Sequence, residues 1–463
     1  MPRHSHDSTW PTLNGAAWLS EPALQDVFDA FKQAGYTLRV VGGAVRNTLL
    51  RLPVTDIDLA TDARPDTVMK IAAAKSIAVI PTGLTHGTVT LRSGNRTFEV
   101  TTLRHDVATD GRHATVAFTD DWKGDAARRD FTMNALYCDS DGALFDPVGG
   151  LADLAARRVR FIGTAADRIR EDYLRILRFY RFTAQYGAGQ LDAEGRDACR
   201  ALRAGLAGLS GERVREELLR LVIAPYAADV LRDMASDEVL ADVLGGDPHA
   251  EALAAMPVAT PDAMPEHDCD PGDTESATGT VPAADPILCL AVLAMRNTAD
   301  VDRLRTRMKL SNAVADRCRR LVAAHHTLQS AGGVLALDAR GLRRWIYRCG
   351  TRAARDALVV AAADSSAASA DFGVDGDGSQ DTTGAAISAA LRIAATWTPP
   401  ALPVSGADLV ARGVAPGPAV GTLLARIEQW WLDHDFPDDR QLITTELDRQ
   451  LAAACGPSRG RTD

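Results

Sequence analysis

Apolar and polar positions follow two different rhythms along this chain, and the change from one to the other divides it. From about Ser20 to Gly35, LSEPALQDVFDAFKQAG carries apolar residues every three or four positions and ends on a glycine, the pattern of an amphipathic helix. Short β-branched segments then recur at Thr37–Val41, Ile57–Ala60, Ile77–Ile80, Thr88–Leu91, Phe98–Leu103 and Ala135–Cys138, with a helical stretch, Pro65–Ala74, among them. These predict a small mixed α/β unit with short connections. The exception is the segment around Val107–Asp121, long enough to be expected as a mobile loop. A turn-rich DPVGG (Asp146–Gly150) closes the strand pattern.

Beyond it the helical period dominates. Helices are predicted over Ala165–Ala184, Asp192–Ala207, Gly211–Ile223, Tyr226–Ala235, Ala284–Met295, Val301–Met308, Ala313–Gln329, Ala339–Cys349, Arg352–Ala363, Ala385–Trp397 and, as the last clear one, Ala419–Asp433. Two stretches lack the pattern. MPVATPDAMPEHDCDPGDTESATGTVPAADP and DSSAASADFGVDGDGSQD are poor in large apolar groups and read as disordered insertions, 257–285 and 364–384. The expected class is α+β, a small mixed α/β head followed by helices, with no internal repeat.

Charge changes this picture in one respect. The net charge of −10 argues against nucleic-acid handling until its distribution is read. Twelve of the acids lie in 257–285 and 364–381, where there is no Lys or Arg, and the remainder of the chain is slightly positive. Arginines concentrate in Arg157–Arg181, Arg303–Arg320 and Arg340–Arg355, stripes that suit either phosphate contact or solvated helix faces. Seven scattered cysteines without a C-x-x-C pair point to reduced thiols and away from a zinc module. With no membrane-length apolar run and no leader-like start, a cytoplasmic protein is expected.

The candidate chemistry begins at VVGGAVRNTLLRLPVTDID (Val40–Asp58). Gly42 and Gly43 let backbone N–H groups approach phosphate oxygens at a helix start, and Arg46 lies in its first turn, within expected reach of a phosphate. Asp56 and Asp58, two apart on an extended segment, point the same way as hard oxygen ligands for Mg²⁺. A glycine pair or an Asp-x-Asp alone is usually only a turn or a solvated edge; the ordered set within twenty residues is harder to dismiss. Glu99 in FEVTTLR is the candidate third acid, though a solvent-facing strand glutamate reads the same way. In RIREDYLRILRFYR, Asp172, Arg175, Arg178 and Arg181 recur every three positions along one side of the predicted helix. A carboxylate only accepts hydrogen bonds and a guanidinium only donates. An Asp172/Arg175 pair therefore matches the donor-beside-acceptor edges of cytosine and adenine and leaves groups unpaired against uracil and guanine.

Together these segments resemble the polymerase-β-like nucleotidyltransferases. With RRDFTMNA (Arg128–Ala135) and EDYLR they resemble more narrowly the class II CCA-adding enzymes of the bacterial tRNA nucleotidyltransferase and poly(A) polymerase family. Supporting matches are PTGLTHGTVTL, TTLRHDVATDGRHATV, LFDPVGGLADL and LSGERVREELLRL, dense over about residues 25–225, with SGADLVARGVAPGPAVGTLLARIEQWW near the end. The resemblance implies a catalytic head at 20–150, a neck carrying the base template at 151–225, a helical body at 226–350 and a tRNA-binding tail at 351–450, an elongated arrangement. It implies catalysis by Asp56, Asp58 and Glu99, metal binding by Asp56 and Asp58, and nucleotide contacts from Gly42, Gly43, Arg46, Arg129, Asp172, Arg175, Arg178 and Arg181. Asp130 is expected to fix the arginines, Asp106–His113 to belong to a loop that changes specificity, and Ser210 to cap the helix supporting the template. The implied activity is addition of C, C and A to tRNA 3′ ends from CTP and ATP with Mg²⁺. Poly(A) polymerase or a silent tRNA-binding protein are the alternatives; no membrane partner is implied and no oligomeric state is assigned. Asn47 and Arg51 depart from the family's usual Asp and Gly, and no His-Asp phosphohydrolase pattern is present.

Overall fold

The computed structural model describes residues 12–80, 87–110, 113–256, 285–371 and 379–455. The start of the PTGLTHG motif and nearly all of the first acidic insertion lie outside them. The chain folds as two units, residues 1–250 with 307–309, and residues 251–306 with 310–463.

The first unit begins with α1 (Pro22–Gln33), whose Leu24, Val27, Phe28 and Phe31 share its buried face and whose Pro22 sits at the first turn, where a missing N–H costs nothing. Among the described residues nine strands follow: β1 (Leu38–Val41), β2 (Asp58–Thr61), β3 (Ala78–Ile80), β4 (Thr88–Ser93), β5 (Arg96–Thr102), β6 (Arg104–Asp110), β7 (His113–Phe118), β8 (Tyr137–Cys138) and β9 (Leu144–Phe145). Seven form one sheet in the order β3-β4-β5-β2-β1-β8-β9. Only the β2–β5 pair is parallel, so the sheet is mixed. The expected mobile loop is instead largely a hairpin, β6 paired with β7 around an irregularity between Asp106 and Ala108. His-Ala-Thr-Val-Ala-Phe carries β-branched residues that favour a strand, and the two halves satisfy each other's backbone groups.

Helices α2 (Gly43–Leu49), α3 (Pro65–Ala74) and α4 (Trp122–Ala127) belong to this head, and α5 (Gly150–Ala155) follows it. The predicted continuous helix Ala165–Ala184 is two: α6 (Ala165–Glu171) and α7 (Leu174–Tyr186). Asp172 breaks it. Its backbone is extended (φ −156°) and its carboxylate accepts from the Leu174 N–H at 3.1 Å, the competition with the helical backbone that disfavours Asp inside helices. The next helices are α8 (Ala193–Leu202), α9 (Gly211–Leu221), α10 (Ala227–Ser236) and α11 (Val239–Leu244). Ser210 does stand at the N-cap of α9, but makes no side-chain cap bond.

Arg51 closes α2 with φ +57°. Its N–H donates to Thr48 O and that of Leu52 to Asn47 O, the paired bonds of a helix end that needs a left-handed residue. That is the physical content of the glycine expected there. Since a left-handed non-glycine residue costs about 1–2 kcal/mol, partly offset by the freedom glycine has when unfolded, Arg51→Gly is expected to stabilise the protein by about 0.5–1 kcal/mol in chemical denaturation.

The second unit is helical, with Pro286–Ala294, Asn312–Ser330, Ala339–Cys349, Thr351–Asp371, Ser379–Thr396, Gly406–Ala411, Pro418–Asp433 and Arg440–Cys455 among its elements. Two expectations are corrected. Part of the second acidic insertion is helical, because Ala and Ser extend a helix at little cost even without large apolar groups. A further helix, Arg440–Cys455, follows the one expected to be last, held by the narrow stripe of Ile443 and Leu447. The arginine stripes here are largely committed within the fold: Arg317 to Asp285 and Asp356, Arg319 to Asp302 and Asp316, Arg343 to Asp435 and Arg344 to Asp433. No described helix is long and apolar enough to cross a membrane, and the described cysteines are free thiols.

Candidate active site

β1 is apolar and pairs on both edges, and it ends in a turn that only glycine makes cheaply. Gly42 has φ +72°, donates its N–H to Leu136 O at 2.9 Å, and would place a Cβ 3.4 Å from Asn134 O. The chain then enters α2, and Asn47 there accepts from Arg46 and donates to Pro53 O at 2.8 Å. That bond folds the loop leading to Asp56 back onto the helix.

Asp58 opens β2 and lies directly beside Glu99 of β5 in the parallel register. On β5, Phe98 and Val100 are buried while Glu99 is exposed, so Asp58 and Glu99 share the open face of the sheet, on strands spaced about 4.8 Å apart. Asp56, two residues earlier, is exposed and accepts from Thr55 at 3.1 Å. The Asp58 carboxyl is pushed above the ordinary carboxylate range by crowding from the surrounding protein, by the like charge of Glu99 and by Asp56, while the Arg129 guanidinium pulls it back. Glu99, Asp56 and Arg129 thus all act on Asp58.

Arg129 is held by Asp125, a residue the sequence reading did not single out. Asp125 is 1% exposed and binds the Arg128 guanidinium at 2.7 Å, that of Arg129 at 3.2 Å and the Tyr137 hydroxyl at 2.8 Å. Burial raises its pKa, but Arg129 and Arg128 outweigh that and hold it low. The available signal was its position, three and four residues before an arginine pair on one helical turn.

Asp130 faces the other way. Although burial opposes it, the Arg178 guanidinium and the Asn134 and Phe131 N–H donors bring its pKa down to about 2. The neighbouring backbone pairs with 160–162, and Phe131 packs on Phe161, Phe179 and Phe182 with ring centroids 4.9, 6.4 and 5.1 Å away. RRDF is therefore built onto α7. A Cβ at Gly150 would lie 2.2 Å from Thr132 O, so the second glycine of DPVGG allows α5 to close against the same segment.

Asp172 and Arg175, the pair expected to read the base, are each held by a different partner. The helix break turns Asp172 toward Arg213 of α9 at 2.6 Å, while Arg175 donates to Glu171 at 2.6 Å, to Arg168 O at 2.9 Å and to Arg128 O at 3.4 Å. Each keeps capacity: a carboxylate offers about four acceptor sites, and the Arg175 Nε–H makes none of these bonds. Arg178 binds Asp130 and Glu217, and Arg181 is buried against Glu217, so these two are engaged between α7 and its neighbours more than on an open face. Arg46 is also turned inward. It is 7% exposed and donates to Asn134, to Asn47 and, at 2.9 Å, to the Tyr186 hydroxyl.

Residues 38–160 match the family described as "Poly A polymerase head domain", and residues 190–253 the one described as "Probable RNA and SrmB- binding site of polymerase A". The "CCA tRNA nucleotidyltransferase 1, mitochondrial" of Danio rerio is 38% identical over 296 residues, 62% of this chain and 63% of that protein. A "CCA-adding enzyme" of Geobacillus thermodenitrificans is 39% identical over 46% of this chain and 52% of its own length. The chain thus spans less than two thirds of either relative. Among solved structures, the Bacillus stearothermophilus CCA-adding enzyme in complex with CTP superposes with a TM-score of 0.66 at 26% identity, covering 93% of this chain and 98% of that one.

Proposed function

We propose that this chain is a member of the family of CCA-adding enzymes and poly(A) polymerases that it resembles, and that it adds C, C and A to tRNA 3′ ends from CTP and ATP without a nucleic-acid template. The observation that carries this reading is the Asp58–Glu99 register on the open sheet face, with Arg129 acting on the same carboxylate. In it, residues 20–150 are the catalytic head and 151–225 the neck.

The donor set suits Mg²⁺, which takes one or two carboxylates and completes its shell with water and phosphate oxygens. Among the described residues no group of three or more His, Cys, Asp or Glu is placed to hold a metal ion, so Asp56 and Asp58 are the two carboxylates that would hold it. Bound to Asp56 and Asp58, the ion supplies Lewis-acid activation and charge neutralisation. The chain's own groups do the rest. Glu99, beside Asp58, would help hold the ion that makes the primer 3′-hydroxyl easier to deprotonate. The Gly42–Gly43 turn brings backbone N–H groups to the phosphates, and Arg129, anchored by Asp125, meets the nucleotide. The 3′-oxygen bonds to the α-phosphorus as its bond to the bridging oxygen breaks, releasing pyrophosphate. Asp172, steadied by Arg213, accepts from the exocyclic amine of C or A, and Arg175, steadied by Glu171, donates to the adjacent ring nitrogen. Arg178 and Arg181 keep that segment in place.

The test offers transcripts ending at the discriminator base, at C or at CC, with single nucleotides and Mg²⁺. Stepwise C, C, A addition that then stops supports the reading. Long A tails on generic RNA select a poly(A) polymerase, and tRNA binding without incorporation selects a silent binder. Arg175→Ala is expected to lower the preference for CTP over UTP by about tenfold or more, because the unpaired-donor penalty against U is removed. Unchanged single-nucleotide selectivity would exclude Arg175 from base reading.

A further inference from the structure

Resting on the function proposed above, we propose that Tyr186 and Asn134 are positioning residues which, through Arg46 and Asp130, hold the arginines of α7 in register with the glycine turn at Gly42–Gly43. Arg46 leaves α2 beside that turn; a Cβ on Gly43 would lie 3.8 Å from its Nη2. Its guanidinium is stacked 4.1 Å from the Tyr186 ring centroid and 5.3 Å from that of Phe182, both on α7. Nη2 donates to the Tyr186 hydroxyl at 2.9 Å and Nη1 donates to Asn134 Oδ1. Asn134 Nδ2 then donates to Asp130 at 2.9 Å, and Asp130 accepts from Arg178 Nε at 2.9 Å.

The path closes on itself. It runs from the turn through Arg46 to the end of α7 by one branch, and through Asn134, Asp130 and Arg178 to its middle by the other. Asn134, Tyr186 and Phe182 are 8%, 4% and 5% exposed, so no water substitutes for a lost partner. A planar guanidinium with donors at fixed angles is what such a junction requires, and an ammonium cannot reach the three acceptors together. In the proposed reaction the turn holds phosphate and α7 carries Arg175 beside the base, with Arg178 fixing the same helix. A nucleotide is accepted only when both ends fit, so loosening the junction lets the two halves bind independently.

Tyr186→Phe removes one oxygen and keeps the ring; Arg46→Lys keeps the charge and removes the fork. Steady-state incorporation on a transcript ending at the discriminator base, with CTP and UTP, is measured alongside direct CTP and UTP binding by equilibrium dialysis and a thermal melt. Both variants are expected to raise the CTP KM and lower the CTP-over-UTP preference, by about 3- to 30-fold, with a larger change for Arg46→Lys. If Tyr186→Phe lowers only the melting temperature or kcat, leaving KM and preference at wild-type values, the two residues merely pack and the proposal is overturned. Absence of any C-over-U preference in the wild type would instead overturn the functional reading and this inference with it.

Discussion

Asp58→Ala is expected to reduce nucleotide incorporation by about 10³-fold or more while tRNA binding stays within about twofold, because it removes a carboxylate that holds the charge-neutralising ion and leaves the RNA-facing surfaces untouched. Single-turnover addition to a labelled transcript measures the first, and filter binding the second; near-normal turnover would remove Asp58 from the site. The electrostatics add a second signature. Crowding by the protein, Glu99 and Asp56 hold the folded pKa above the unfolded one. Asp58 is therefore protonated more readily in the folded state, and stability falls as pH rises from the unfolded value of about 3.9 through the folded one, with the penalty fully present at neutral pH. Asp58→Asn is accordingly expected to raise the melting temperature at pH 7 while abolishing incorporation. In the metal-free protein this loss of stability with rising pH should shrink in Glu99→Gln, where the repelling charge is gone.

Glu217→Ala is expected to be the most destabilising single substitution in the neck. Glu217 is 6% exposed and binds both Arg178 and Arg181, the latter itself 6% exposed. Removing one member of a buried ion pair strands the other, at about 3–5 kcal/mol, whereas the pair as a whole contributes little relative to apolar residues. For a unit of this size that corresponds to a fall in melting temperature on the order of 10 °C. Glu217→Gln, which keeps acceptor geometry but not charge, should lose less. Because Arg178 also holds Asp130, the loss reaches RRDF, and incorporation should fall even where the protein remains folded. A melt unchanged by Glu217→Ala would mean that the arginines find other partners.

Periodicity along the chain was enough to establish the order of elements. β1, β2, α3 and amphipathic stretches such as Ala339–Cys349 depend on local alternation and helix-start residues, which neighbours in sequence decide. Glu99 was legible as an outward strand position between buried Phe98 and Val100, whereas Asp56 lies before β2, so its two-residue spacing from Asp58 is not a strand repeat, and the pairing of Asp58 with Glu99 was set by the fold. Tertiary structure alone decided partners. Asp172 left the helix because its carboxylate could cap α7 and meet Arg213, 41 residues away; Arg46 turned inward because Tyr186 lay 140 residues on; Asp125 became an anchor only where Tyr137 crossed it. A side chain's rotamer is chosen by whichever acceptor the fold brings within about 3 Å, and sequence spacing carries no record of acceptors that distant.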